Sequence, residues 1–148
     1  MKKHGKNSEV SRVYARARVG NRTLVSQVTK HAREAASRVH WDSPLPNPVA
    51  NIHHYLAGHI RYRAEGEDQI IRRPSALVAL GVGDCKSTAV FAASLLKAHG
   101  VPVQLAFVKT ADRPWWSHVY VIADGVVVDP LLPLGDECQY VERKLIEL

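Results

Sequence analysis

The dipeptide Asp124-Gly125 stands between two apolar runs, Ser117 to Ala123 and Val126 to Asp129, and it constrains the chain more than any other feature. Asp-Gly suits a two-residue turn in which both backbones have positive φ, so the runs fold back as an antiparallel hairpin. A two-residue turn also sets the register. Ala123 faces Val126, Val121 faces Val128, and Tyr120 faces Asp129. His118, two residues before Tyr120, therefore shares a sheet face with Asp129 and becomes its diagonal neighbour. That geometry suits a carboxylate accepting from imidazole Nδ1–H, leaving Nε2 for a thiol. A longer loop with a bulge would shift the register and dissolve the pairing.

A thiol is available. Gly81-Val82-Gly83-Asp84 leads into an apolar stretch from Cys85 to about His99, which reads as a helix ended by Gly100. A cysteine at a helix start meets unpaired N–H groups and the positive end of the dipole, and both favour the thiolate. The two glycines let the backbone turn sharply and admit a substrate closely. A small, inert, buried cysteine is the bland alternative. Val101 to Thr110 then reads as a strand and Ala111 to Trp116 as a loop, so a helix precedes an antiparallel meander in an α+β arrangement.

Upstream, Thr23 to about His40 carries Leu24, Val28, Ala32, Ala35 and Val39 on one helical stripe. Asn21 or Thr23 suits its cap. The proline-punctuated connection from Trp41 to Pro48 interrupts any regular element, and Pro48 opens a second helix towards Ile60. Arg61 to Arg73 is polar, with Glu65-Gly66-Glu67-Asp68 as a turn. The net charge is +6, and residues 1–22 hold all of it: seven basic residues against Glu9. This leads us to expect a basic, flexible arm over 1–22 and a single domain over 23–148. The arm is either a solvated tail or a contact for nucleic acid or an acidic partner.

The ordered set Gly-Asp-Cys opening a helix, Leu95-Leu96 and Gly100-Val101-Pro102 closing it, Ser117-His118-Val119, and Val128-Asp129-Pro130 resembles the core of the transglutaminase-like superfamily. The stretch from Arg61-Tyr62 to Arg73-Pro74 is similar to what precedes the cysteine in phage and prophage members. The resemblance covers roughly Ile60 to Asp136. It implies a papain-like fold whose catalytic helix packs on an antiparallel sheet, behind a helical N-terminal portion. It also implies a triad with Cys85 as nucleophile, His118 as base and Asp129 as the residue orienting the base. Phage members often have an acid directly after the cysteine, where this chain has Lys86. The implied reaction is acyl transfer through a thioester on a protein or peptide substrate. Water as acceptor makes a thiol peptidase or amidase, the reading we favour; a lysine amine makes a cross-linking enzyme. A non-enzymatic structural or nucleic-acid-associated role on the same fold is the rival.

Other candidates follow from chemistry alone. The backbone N–H of Cys85 is the natural first oxyanion donor, and Gln69, an upstream amide, is a candidate second. Trp115 and Trp116 either wall a substrate groove or pack on their loop. His53, His54 and His59 lack a cysteine or acid at ligand spacing, so no metal is expected. No cofactor motif appears, since no Gly-Lys-Ser/Thr follows Gly81-Val82-Gly83. No apolar run approaches the roughly 20 residues that cross a bilayer. Two cysteines make no disulfide framework, and the N-terminus lacks an apolar segment behind its lysines. The expected compartment is the cytoplasm of a bacterial host, or the virion if the chain is phage-encoded. Cys138 lies in an acidic tail region, and a redox partnership with Cys85 is not the favoured reading.

Overall fold

The computed structural model describes residues 13–16, 21–39, 44–64 and 70–148. A short strand β1 (Val13–Arg16) precedes helices α1 (Asn21–Arg38) and α2 (Pro48–His59). Next come strands β2 (Arg61–Tyr62) and β3 (Ile70–Arg72), helix α3 (Pro74–Leu80) and strand β4 (Val82–Gly83). Helix α4 (Cys85–Ala98) leads to strands β5 (Val103–Lys109), β6 (His118–Ala123), β7 (Val126–Val128) and β8 (Glu142–Glu147). Among the described residues no helix is long and apolar enough to cross a membrane.

Strands β7, β6, β5 and β8, in that order, form an antiparallel sheet. The hairpin has the expected register, Val121 facing Val128 and Ala123 facing Val126. Its turn residues Asp124 and Gly125 have φ of 50° and 81°, the left-handed values a type I′ turn requires. Alternation along the strands divides the sheet residues between two clusters. Val103, Leu105, Phe107, Val119, Val121, Ala123 and Val128 join the main core with α4, while Ala106, Val108, Tyr120 and Ile122 form a second cluster with Val127 and Cys138. Helix α4 is buried nearly all round because α1, α2 and α3 cover the sides that the sheet leaves open. The α1 stripe of Leu24, Val28, Ala32 and Ala35 is buried in this core.

Some elements differ from expectation. Within the segment read as an arm, Val13–Arg16 pairs antiparallel with β3, and α1 begins at Asn21, so the boundary after residue 22 falls inside a helix. Residues 1–12 and 17–20 lie outside the described residues. Strand β8 occupies what read as a tail: with only Leu145 and Ile146 apolar, it is a charged edge strand held by its ladder with β5. Helix α3 arises in a stretch with no expected element, with Pro74 at its first turn and Gly81 at φ 67° closing it. Gly83 admits a protein side chain rather than a substrate: a Cβ there would lie 2.5 Å from Leu77 Cδ1.

Candidate active site

Cys85 is the first residue of α4, and Asp84 is its cap. Oδ1 of Asp84 accepts from the N–H groups of Lys86 at 3.0 Å and Ser87 at 3.3 Å. Its other oxygen forms an ion pair with Nζ of Lys86, and both side chains are buried. A capping carboxylate beside Cys85 opposes negative charge on the sulfur, and the Lys86 ammonium balances it. Lys86, in the place where an acid was expected from the resemblance, therefore serves the cap rather than facing a substrate. Ser87 ties the helix start to β3, its hydroxyl accepting from Arg72 N–H at 2.9 Å.

His118 opens β6, opposite Val108. Strand alternation groups it with Tyr120 and Ile122, on the face away from α4. Its place at the end of the strand brings the ring towards the N-terminus of α4, near enough for Cys85 to help raise its pKa. The ring's Nε2 lies 2.8 Å from Oδ2 of Asp129, which follows β7 and is 2% exposed. Nδ1 is not used by Asp129. This reverses the expected use of the two nitrogens, because register fixes which side chains share a face but not how a ring turns about its own bond. Burial is the largest single influence on His118 and lowers its pKa. The hydrogen bonds to Asp129 and Cys85, with the charges of both, outweigh burial and push the pKa up to about 10. The balance favours the imidazolium, which donates to Asp129 through Nε2.

Asp129 is held in turn. Its Oδ1 accepts from Leu131 N–H at 3.1 Å, and its carbonyl accepts from Leu132 N–H at 3.0 Å. Nε2 of His53 lies 2.8 Å from the Leu132 carbonyl, so one of the α2 histidines braces this loop. His59 stacks on Tyr55 at 4.6 Å. Among the described residues no group of three or more His, Cys, Asp or Glu side chains is arranged to hold a metal.

The remaining candidates divide. Gln69 lies outside the described residues. Trp116 packs on the main core with Lys109 Nζ 4.6 Å from its ring, whereas Trp115 is 46% exposed. A cleft of about 490 Å³ beside them is lined by Lys109 to Pro114, Val141 and Glu142, and by neither tryptophan. Cys138 packs beside Tyr120, and its thiol pKa is raised by burial while the His118 charge opposes the rise. Tyr62 was not singled out from sequence. Its phenol pKa is pushed up to about 12, first by burial and then by the negative charges of Cys85 and Asp84. The sequence places it only at the start of a stretch of family resemblance, with no role, since its position depends on the parallel pairing of β2 with β4.

A family model described as the transglutaminase-like superfamily matches residues 32–130, about two thirds of the chain. No curated protein matches. One solved structure, from Cytophaga hutchinsonii and provisionally described as a cysteine protease, is similar over 84% of this chain at 11% identity and a TM-score of 0.45. The chain spans 41% of the length of that protein, and a likeness at this level bears on no conclusion about activity.

Proposed function

The chain belongs to the transglutaminase-like superfamily, with its papain-like α+β fold, and on that premise we propose that Cys85, His118 and Asp129 form a thiol acyl-transfer triad. At the family level this is a cysteine-dependent enzyme. The observation that carries the finer reading is the His118 ring, bonded to buried Asp129 through Nε2 and near enough to Cys85 for that residue to help raise its pKa.

The Cys85 thiolate adds to the carbonyl carbon of an amide or ester, forming a C–S bond while the C=O electron pair moves onto oxygen. The tetrahedral species collapses, the C=O re-forms as the C–N or C–O bond breaks, and the His118 imidazolium gives up a proton to the leaving amine or alcohol. A thioester remains. Acylation also removes the negative charge of the sulfur, one of the influences that keep the ring protonated. The deprotonated ring then has a lower proton affinity and takes the proton of the incoming acceptor. One residue serves as acid before the thioester and as base after it. Asp129 holds the ring throughout without needing the proton itself.

With water as acceptor the protein is a thiol peptidase or amidase, the form we favour, acting on a protein or peptide. To test this, the protein is incubated with a peptide library, a labelled primary amine and ¹⁸O-water, and the products are read by mass spectrometry. Cys85-dependent ¹⁸O carboxyl products support hydrolysis, and Cys85-dependent amine-labelled products point to cross-linking instead. Product formation equal in Cys85→Ala overturns the reading.

A further inference from the structure

We propose that Tyr62 is a further catalytic residue of this site, its phenol O–H donating to the oxyanion formed when the Cys85 sulfur adds to a carbonyl. The inference rests on the acyl-transfer reading above and supplies the second donor that the site needs beside the Cys85 backbone N–H.

Position comes first. Strand β2 runs parallel to β4, with Tyr62 opposite Gly83. The backbone bonds on either side, Arg61 N–H to the Gly81 carbonyl at 2.8 Å and Arg63 N–H to the Gly83 carbonyl at 2.9 Å, fasten Tyr62 to the segment that runs straight into Asp84 and Cys85. None of these bonds uses the hydroxyl. The charges that act on the phenol come from three separate segments: Cys85 and Asp84 at the start of α4, Arg113 in the loop before His118, and Asp129 after β7. The pairing with β4 sets Tyr62 opposite Gly83, two residues before Cys85 and beside the start of α4.

Availability comes second. Tyr62 is 44% exposed, open to a substrate but partly shielded from water. Asp84, a nearby acceptor, is engaged by two backbone N–H groups and by the Lys86 ammonium. Among the described residues the Tyr62 hydroxyl has no protein acceptor. With its pKa pushed up to about 12, first by burial, the phenol keeps its proton at neutral pH and remains a donor. Such a donor matters where charge develops on the carbonyl oxygen and is idle where none does.

That difference sets the experiment. p-Nitrophenyl acetate acylates a thiolate through a tetrahedral oxyanion: a C–S bond forms, the C–O bond breaks, and p-nitrophenolate leaves without needing a proton. Iodoacetamide alkylates the same sulfur by displacing iodide, with no oxyanion. Both rates are measured at neutral pH for the unmodified protein, Tyr62→Phe and Cys85→Ala. We expect Tyr62→Phe to slow acetylation at Cys85 about 100-fold or more while alkylation stays within about twofold. Acetylation unchanged in Tyr62→Phe overturns the proposal and leaves the acyl-transfer reading standing. Equal falls in both rates also overturn it, since Tyr62 would then act on the thiol or the fold. Acetylation no faster in the unmodified protein than in Cys85→Ala removes the acyl-transfer reading itself.

Discussion

Replacing Asp129 with asparagine keeps the side chain's shape and removes its charge. The rise of the His118 pKa from 6.5 to about 10 amounts to about 5 kcal/mol of preference for the protonated ring. Asp129 and Cys85 share that preference, each through a hydrogen bond and a charge, against the opposing effect of burial. Its loss removes one of the two partners while burial still opposes the charge, so the midpoint of titration falls by more than half of the net rise if the two partners contribute equally. With the side chain 16% exposed, solvent screening reduces this little. The asparagine oxygen can still accept from Leu131 N–H, so the loop after β7 stays in place. Its NH₂ facing Nε2 then favours the tautomer with the proton on Nδ1, pointing at the sulfur, which is the wrong state for a base. The assay is an NMR titration of the His118 ring proton, assigned by comparison with His118→Gln, run alongside thiol acylation. We expect the lower midpoint together with an acylation loss on the order of 100-fold or more. A midpoint still near 10 in Asp129→Asn would refute the claim that this carboxylate holds the ring.

Four further outcomes follow from the cap, the ring, the first strand and the basic arm. Asp84→Ala should destabilise the fold by about 3 kcal/mol or more in urea unfolding, beyond an ordinary cap, because it strands the buried Lys86 ammonium. Adding Lys86→Met should recover part of that loss, and no recovery would mean the ion pair is not the cause. Because folding raises the His118 pKa, its stabilising contribution is full below about pH 6.5 and is lost as pH rises through about 10. The stability difference between the unmodified protein and His118→Gln should therefore shrink across that window, and a difference that grows with pH would contradict the assignment. Deleting residues 1–20 removes the β1 partner of β3 and should lower the melting temperature by roughly 5 °C, and an unchanged value would contradict that pairing. Any DNA affinity should go with residues 1–12 and fall steeply between about 50 and 200 mM salt; affinity that survives their deletion excludes the arm as the contact.

The parts of this fold written in local chemistry were legible from sequence. Asp124-Gly125 specified a turn, the turn specified the register, and the register brought His118 to Asp129. The apolar stretch after Gly-Asp-Cys specified α4 and put Cys85 at its start. What was not legible depends on partners distant in sequence. Strand β8 has few apolar residues and exists through its ladder with β5, and β1 exists through β3. The buried Lys86 looks like a surface residue until the Asp84 carboxylate is placed beside it. Tyr62 reaches the site only through the pairing of β2 with β4. The choice of Nε2 over Nδ1 is a rotation about one side-chain bond, to which strand periodicity is blind.

The central claim is that the Cys85 sulfur carries an acyl group with help from His118, and one measurement addresses it directly. The protein is mixed with an activated peptidyl ester, quenched in acid within the first turnover, and mapped by tandem mass spectrometry. The account predicts an acyl adduct on Cys85 that hydroxylamine removes, absent in Cys85→Ala and formed at least about 100-fold more slowly in His118→Ala. An adduct confined to other residues, or one formed on Cys85 equally fast without His118, would contradict it.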